Sequence, residues 1–482
     1  MDNSLKLKTI SSLFWKIMER GGNAAVSLIV QIVLARLLTP EDFGMLAIII
    51  VFVNIGAVFV QSGLNSALIQ FADITEDDFS TVFWTCFAIG SIIYAILFFL
   101  SPYIANFYNN ISMMWPLRAI CLLLIINAYS SVVIARVTRL LELKKTFYAT
   151  LTAVVVSGVV GVLVAVLGGG IWALVLNQLV YQIVSSLVLG LQAHWYPKFV
   201  ISLKRARDFF QFGWKLLLSG ILNTLYQGLS NLVIGKQFSQ HELGLVSQGE
   251  KYPQAIGNML DGAIQPVMFS AVSRVQHSIS DVKGLTKRAL KTSSFFILPT
   301  MGALIVVAKP FIEVVLGAQW LEAVMFFQAY CFIYALYPIQ SSNLQAINGL
   351  GRSDVYLKLE IIKKIYGVGI LLFAAFVVKD IYAIVIGLML SSVLSIFVNS
   401  FSSRRLINYG IAEQLKDISP SIVLTILSAS ISSSVAFVVN GQMALLVLQP
   451  LVMFVLYFGL SALLKTEEAE YLLLTLKELK EK

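Results

Sequence analysis

Long apolar runs separated by short polar connections occupy almost the whole chain. The runs are continuous rather than alternating, which indicates membrane-spanning helices and not a closed β-barrel. A helical span needs about 20 apolar residues, so the 482 residues accommodate fourteen spans joined by short loops. The predicted spans are 10–36, 43–69, 79–101, 113–135, 147–168, 170–193, 209–236, 243–271, 291–308, 321–347, 357–378, 381–401, 419–439 and 443–464. We therefore predict an all-α polytopic membrane protein with 14 transmembrane helices.

The composition supports a membrane protein. Hydrophobic residues make up 58% of the chain and charged residues only 13%, and the mean hydropathy is +0.83. A soluble enzyme of this length needs more polar surface, and a disordered chain has far fewer apolar residues. The three cysteines, Cys86, Cys121 and Cys331, lie singly in apolar runs. They are expected to be small buried side chains rather than part of a disulfide or metal site.

The distribution of Lys and Arg predicts the orientation. If the N-terminus is inside, most of the 35 basic residues fall at cytoplasmic helix ends and loops, and few fall in outer loops. This asymmetry is the positive-inside pattern, although the segment 73–78 is acidic. We expect both termini in the cytoplasm. The net charge of +9 then reflects topology and contact with anionic lipids rather than nucleic-acid binding.

The chain also contains an internal repeat. Trp15-Lys16 recurs as Trp214-Lys215, and Phe43-Gly44-Met45 resembles Leu243-Gly244-Leu245. The two halves are expected to be parallel six-helix repeats, because six spans return the chain to the same side. The predicted divisions are an N-terminal lobe 1–200, a C-terminal lobe 201–403, helices 13 and 14 in 404–465, and an amphipathic cytoplasmic tail 466–482.

Three predicted spans carry polar side chains at helical spacing, so that each set shares one face. A Lys or Arg in the middle of a membrane costs about 2.5–3.5 kcal/mol, and a dry bundle does not tolerate several unbalanced cations. These faces are therefore expected to line a water-filled cavity that receives an anion. The candidate residues are Lys16, Arg20, Asn23 and Gln31 in span 1, Lys215, Asn223, Gln227 and Asn231 in span 7, and Lys251 and Asn258 in span 8.

Other candidate chemistry is sparse. Arg118, toward the outer end of span 4, is equally compatible with lining the cavity and with reaching the interface. The chain has no P-loop, HExxH or GxSxG motif, and its three histidines lie at helix ends or in loops. We therefore expect no enzymatic activity, no cofactor and no metal site.

Particular segments resemble a known family. The stretches SLFWK at 12–16, LARLLTPEDFG at 34–44 and PVMFSAVSRVQ at 266–276 are similar to the polysaccharide-transport branch of the multidrug/oligosaccharidyl-lipid/polysaccharide exporter superfamily. They are closest to Wzx-type flippases of the colanic-acid exporter kind. That branch often has a second proline where this chain has Ser270, a departure that affects only local helix geometry.

The resemblance implies a function. Such a flippase moves an undecaprenyl-pyrophosphate-linked oligosaccharide from the cytoplasmic to the outer leaflet of the bacterial inner membrane by alternating access. The cations would attract the pyrophosphate or acidic sugars, and the amides would bind sugar hydroxyls. Asp261 or Glu250 would bind the coupling ion, H⁺ or Na⁺. A membrane polysaccharide polymerase is a candidate partner.

Four alternatives remain open. A non-transporting scaffold would not explain the matched polar stripes. A cation-coupled multidrug antiporter of the same superfamily would favour acids in its cavity, whereas this chain places bases there. A lipid II flippase is not distinguished by cavity chemistry. A membrane-embedded glycosyltransferase or polymerase requires a carboxylate-bearing extramembrane loop, which the short loops disfavour.

Overall fold

The computed structural model describes residues 3–61, 63–71 and 73–470, and every regular element in these ranges is helical. The first helices are α1 Asn3–Leu37, α2 Pro40–Gln61, α3 Leu64–Gln70, α4 Glu76–Phe107, α5 Met114–Ile120, α6 Leu123–Arg139, α7 Leu143–Val166, α8 Ile171–Ala193 and α9 Leu203–Gln237. The others are α10 Gln240–Arg274, α11 Ile279–Val306, α12 Ala308–Phe311, α13 Val324–Ala335, α14 Tyr337–Gly349, α15 Ser353–Phe373, α16 Ile381–Ile407, α17 Ile411–Ser434 and α18 Gln442–Leu463.

The helices confirm an all-α polytopic membrane protein. Within the described ranges, 11 helical segments are long and apolar enough to cross a membrane. The predicted spans 10–36, 209–236 and 243–271 coincide with α1, α9 and α10, which are not among those 11. Helix α9 carries a predicted polar stripe, and that polarity lowers its hydropathy. In α1 and α10, part of the predicted span lies outside the residues whose side chains are described. The count of fourteen spans therefore stays a prediction.

Three predicted spans are divided in the structure. Span 43–69 breaks between α2 and α3 at Gly63, span 113–135 breaks between α5 and α6, and span 321–347 breaks between α13 and α14. Pro338 lies in the first turn of α14, where a proline needs no backbone donor. Hydropathy does not reveal these breaks, because the residues on both sides are apolar.

Helix bounds recur along the chain. Helices α1 and α9 each have 35 residues, and their ends lie 200 positions apart. The turn after each has the same cap: Asp42 accepts a hydrogen bond from the backbone N–H of Thr39, and Glu242 accepts one from that of Ser239. This recurrence is what two copies of one unit would produce.

By their internal contacts, the residues form two compact units, Met1–Gly244 and Leu245–Lys482. Helix α9 therefore belongs with the first unit, although the repeat places it at the start of the second copy. The lobe boundary at 200/201 is a statement about sequence symmetry and stays a prediction.

In the first unit, α9 packs against α2 through glycines. A Cβ added to Gly213 would lie 2.4 Å from the Cα of Gly63, and one on Gly228 would lie 2.4 Å from Cγ1 of Val51. Small residues let membrane helices approach this closely, and close packing replaces the hydrophobic driving force that lipid does not supply.

Basic side chains neutralise the acidic segment 73–78. Both carboxylate oxygens of buried Asp78 accept hydrogen bonds from Arg205 at 2.7 Å, and Arg205 also donates to the carbonyl of Asp73. The hydrogen bond with Asp78 raises the pKa of Arg205. From α6, Arg139 donates to the carbonyls of Leu68 and Phe71. The segment 73–78 therefore lacks the basic residues of the other predicted cytoplasmic loops, but an arginine from elsewhere in the chain pairs with it.

In the second unit, α17 and α18 pack on α11. These two helices correspond to the predicted spans 419–439 and 443–464, which are therefore an integral part of that unit. One row of lysines on α11 forms ion pairs with acids of α17 and of the segment after α18. The pairs are Lys283–Glu413, Lys287–Asp417, Lys291–Glu467 and Lys291–Glu468. The hydrogen bond from Lys291 lowers the pKa of Glu467. Residues 471–482 of the predicted amphipathic tail lie outside the described residues.

The three cysteines are buried and free, as the sequence predicts.

The Asp78–Arg205 pair generates a stability prediction. Replacing Asp78 by Asn removes one charge of a buried pair, and we expect a loss of about 1–3 kcal/mol of folding free energy. Asp77→Asn is the matched control, because Asp77 is exposed and lies 3.9 Å from Lys198; its effect should stay within about 0.5 kcal/mol. Thermal unfolding of the purified variants in detergent measures both. Equal melting temperatures for the two variants would contradict the role given to Asp78.

Candidate functional site

Helix α9 has three chemically different sides. At about 100° per residue, Lys215, Asn223 and Gln227 share one side, and all three are exposed. Gly213, Gly228 and Gly235 share a second side, which faces α2 and the start of α3. The third side is apolar, and it exposes Leu218, Leu222 and Leu225.

These sides require different surroundings. In a bilayer, an exposed apolar side can face lipid, but an exposed polar side needs water or a polar partner. The Lys215 ammonium lies 5.9 Å from the ring of Trp214. Asn231 lies further along α9 and is half-buried.

The polar residues of α1 are turned partly toward α7. The amide Nδ2 of Asn23 donates to Thr150 of α7 at 2.6 Å. The Oδ1 atom of Asn23 and the Oε1 atom of Gln31 are buried without a hydrogen-bond partner among the described residues. The predicted site residues Lys16, Arg20 and Asp261 lie outside the described residues as far as their side chains are concerned.

The turns between α1 and α2 and between α9 and α10 meet in a reciprocal contact. A Cβ on Gly44 would lie 1.8 Å from the carbonyl oxygen of Gln240, and one on Gly244 would lie 1.9 Å from that of Pro40. The contact thus joins equivalent positions of the two predicted repeats.

Polar side chains surround this contact, which we call the α2–α10 contact. His241 and Glu41, again equivalent positions, approach to 2.9 Å. Asn110 donates to the side chain of Gln240 at 2.6 Å. Backbone packing and hydrogen bonds therefore hold the two helix starts together.

In the second unit, Glu250 of α10 is held by neutral donors. Its Oε1 atom accepts hydrogen bonds from Tyr334 of α13 at 3.4 Å and from Gln254 at 3.3 Å. Among the described residues, no group of three or more His, Cys, Asp or Glu side chains could hold a metal ion. Glu250 is thus a carboxyl group in a setting of hydroxyl and amide groups.

The other predicted residues of α10 are distributed along it. Asn258 is exposed and Lys251 is half-buried. Further along, Gln265 accepts a hydrogen bond from Gln345 of α14 at 3.2 Å. This helix therefore has both exposed and packed polar groups.

Arg118 lies apart from these residues, on α5 against α4. Its guanidinium lies 4.1 Å from the ring of Phe98 and 4.9 Å from that of Trp115, and it donates to Ser101 at 2.7 Å. These contacts hold the side chain within the first unit.

Two features of the structure were not predicted from the sequence. The repeated glycines at 44 and 244 were visible as sequence similarity, but nothing in the pattern showed that they touch. A buried network around Gln414, which accepts from Asn343 and Ser400, was hidden because serines and amides in apolar spans look like ordinary packing residues.

The all-helical fold is similar to that of two solved membrane proteins. The lipid II flippase MurJ, in an inward closed conformation, superposes with a TM-score of 0.74 over 94% of this chain and 98% of that chain, at 14% identity. An inward-facing multidrug resistance MATE transporter of the MOP superfamily gives a TM-score of 0.61 over 80% of this chain and 94% of that chain, at 14% identity.

A family model described as polysaccharide biosynthesis protein matches residues 33–325, more than half of the chain. The protein belongs to this family, and the predicted resemblance is confirmed.

Curated relatives agree with this membership. The succinoglycan biosynthesis transport protein ExoT of Rhizobium meliloti is 24% identical over 67% of this chain and 66% of its own length, just under two thirds. The lipopolysaccharide biosynthesis protein WzxC of Escherichia coli is 22% identical over 75% of this chain and 74% of its own length. The teichuronic acid biosynthesis protein TuaB of Bacillus subtilis is 23% identical over 62% of each chain.

The α2–α10 contact generates a prediction. Gly44→Ala places a methyl group onto a carbonyl oxygen, so the helix starts must separate, and we expect a loss of about 1–3 kcal/mol of stability from overpacking. Gly369→Ala is the control, because a Cβ on Gly369 of α15 meets no atom within 4 Å; its effect should be neutral or stabilising by up to about 1 kcal/mol. Thermal unfolding in detergent distinguishes them. A Gly44 variant as stable as the Gly369 variant would show that the two helix starts are not in contact.

Proposed function

We propose that the protein is a flippase that moves an undecaprenyl-pyrophosphate-linked oligosaccharide from the cytoplasmic to the outer leaflet for export of exopolysaccharide, capsule or O-antigen. The observation that carries this proposal is that α9 exposes both a polar side and an apolar side. Its exposed polar side and exposed apolar side run along the same helix, which suits a substrate with a hydrated headgroup and a lipid tail.

The chemistry of the polar side fits such a headgroup. The Lys215 ammonium attracts pyrophosphate or acidic sugars, and the amides of Asn223 and Gln227 bind sugar hydroxyls. The remaining predicted substrate ligands are Lys16, Arg20, Asn23, Gln31, Asn231, Lys251, Asn258 and Arg118. Within this set, Asn23 and Arg118 already have protein partners, so we assign them the weaker share of binding.

The names of the relatives support the class of cargo. They refer to succinoglycan, lipopolysaccharide and teichuronic acid, which are chemically different polysaccharides. A shared transporter architecture with different sugars is consistent with recognition of a common lipid-linked portion.

We place the protein in the bacterial cytoplasmic membrane with both termini inside, from the positive-inside pattern. Transport by alternating access requires opposite ends of the pathway to open in turn. The α2–α10 contact, at the predicted outer ends of these helices, would close the outer side and would have to separate for release of substrate. A membrane polysaccharide polymerase would receive the product.

The direct test is lipid transfer in liposomes. The purified protein is reconstituted with a fluorescent polyprenyl-pyrophosphate oligosaccharide, and arrival in the opposite leaflet is measured by quenching. We expect transfer above empty liposomes and a loss of at least about tenfold in Lys215→Ala, since removing the partner of a charged group costs about 1.5–3 kcal/mol. Lys204→Ala is the matched control, because Lys204 is an exposed lysine near the start of the same helix, outside the predicted span.

Other outcomes would redirect the assignment. Transfer of lipid II at the same rate would favour a lipid II flippase. No transfer of either lipid, together with gradient-driven efflux of a cationic dye, would favour a multidrug antiporter. Equal rates for Lys215→Ala and Lys204→Ala would remove Lys215 from the substrate site.

We further propose that Glu250 or Asp261 binds the coupling ion, H⁺ or Na⁺. The hydrogen bonds from Tyr334 and Gln254 to Glu250 support Glu250, since neutral donors can remain in place whether or not the carboxyl group carries an ion.

In the same liposomes, an imposed gradient should accelerate transfer by the parent protein. Glu250→Gln keeps the shape of the side chain but cannot ionise, so its transfer should become independent of the gradient. Glu242→Gln is the control, since Glu242 caps the start of α10 through Ser239. A Glu250→Gln protein that still responds to the gradient would exclude Glu250 and leave Asp261.

A further inference from the structure

Helix α16 carries a second row of polar side chains, on its buried side. Ser392, Ser395, Asn399 and Ser403 are spaced by three or four residues, so they share one side. Asn399 and Ser403 are fully buried, and the two other serines are nearly so. None of these four residues is a predicted site residue.

The two halves of the row differ. At one end, Ser392 accepts from Gln340 of α14 at 2.9 Å, and Ser395 bonds with the hydroxyl of Tyr366 of α15 at 2.7 Å. At the other end, neither Nδ2 nor Oδ1 of Asn399, nor Oγ of Ser403, has a hydrogen-bond partner among the described residues. Ser403 is followed by exposed Arg404 and Arg405, which mark the predicted cytoplasmic end of α16.

The unpartnered groups lie beside a saturated network. Gln414 of α17 exchanges hydrogen bonds with Asn343 of α14 and accepts one from Ser400 of α16. Ser400 directly follows Asn399 in the chain. On α14, Ser342 directly precedes Asn343, and its hydroxyl is also buried without a partner in the part of the chain described.

The unpartnered groups of Asn399, Ser403 and Ser342 would be satisfied if a ligand were bound beside them. A buried polar group without a hydrogen bond costs a substantial share of the marginal stability of a protein. Here one amide and two hydroxyls are affected, at positions next to the residues that join α14, α16 and α17.

The chemistry of Asn399 selects the ligand. Its Nδ2 is a donor and its Oδ1 is an acceptor. A bare cation satisfies only the oxygen and an anion only the nitrogen, whereas water both accepts and donates. Water in a protein interior typically makes about three hydrogen bonds to groups that are otherwise unsatisfied.

We propose that the buried side of α16 binds internal water at Asn399 and Ser403, and that this hydrated site opens toward the end of α16 marked by Arg404 and Arg405. It lies on elements other than α1, α9 and α10, which carry most of the predicted substrate ligands, and it goes beyond the proposed transport function.

Cysteine accessibility tests the proposal, because a thiol reacts with a water-soluble methanethiosulfonate reagent as the thiolate, which needs water. Asn399→Cys and Ser403→Cys are made in the full chain and compared with the parent protein, whose own cysteines are buried. Ile396→Cys is the matched control, since Ile396 is a buried apolar residue on the same helix. We expect Asn399→Cys and Ser403→Cys to be labelled at least about tenfold faster than Ile396→Cys, as hydration raises the thiolate fraction. Labelling of both at the control rate would overturn the proposal.

The variant Asn399→Leu tests the same proposal without introducing a cysteine. In a dry site, Asn399→Leu would remove two unpaired polar groups and raise the melting temperature. In a hydrated site, it displaces water and leaves the neighbouring hydroxyls unpaired, so we expect a lower melting temperature. A raised melting temperature would count against bound water. The parent protein could instead be stabilised by NaCl but not by choline chloride, with no such effect in Asn399→Leu. That outcome would overturn the water assignment in favour of a sodium ion.

These outcomes do not depend on substrate. Failure of the water site leaves lipid transfer by the parent protein untouched, and failure of lipid transfer leaves the labelling result standing.

Discussion

Close packing of α2 against α9 is the contact on which the candidate site depends. Lipid offers membrane helices no hydrophobic reason to associate, so their packing relies on backbone approach between small residues. Gly213 and Gly228 provide that approach to Gly63 and Val51. Because this glycine side faces α2, the Lys215 side and the Leu222 side are the ones left exposed. The packing thus decides which chemistry α9 presents.

Charge pairs join the ends of several helices in each unit. In the first unit, Arg205 joins the start of α9 to Asp78 of α4. In the second, the lysine row of α11 joins α17 and the segment after α18. The Asp78–Arg205 pair and the Lys291–Glu467 pair are expected to differ in strength. The Asp78 carboxylate is buried and bidentate, while Glu467 is largely exposed and screened by solvent.

Polar groups serve two separate purposes in this protein. Those of α9 are exposed and suit a hydrated substrate. Those around Gln414 are buried and join α14, α16 and α17, and Asn399 is buried beside them. The first kind is exposed on the surface of its unit, as a binding surface for a hydrated substrate must be. The second is mostly satisfied internally, and its unpartnered members are few enough to be completed by water.

Residue types and their spacing were enough to predict the all-helical membrane class and the family, and they also predict polar faces on α1, α9 and α10. Hydropathy and helical period depend only on residue type and spacing, so they can be read without a structure. The burial of the three cysteines followed in the same way. The breaks at Gly63 and before Pro338 escaped, because apolar residues continue through them.

Which groups meet became clear only from the three-dimensional packing. Asn23 and Gln227 both carry amide side chains on predicted polar faces, yet Asn23 bonds to α7 and Gln227 is exposed. Gly44 and Gly244 were recognisable as a repeat, but only the structure shows that the first turns of α2 and α10 meet there. Contacts between residues 200 positions apart arise from packing, and local sequence carries no measure of that geometry.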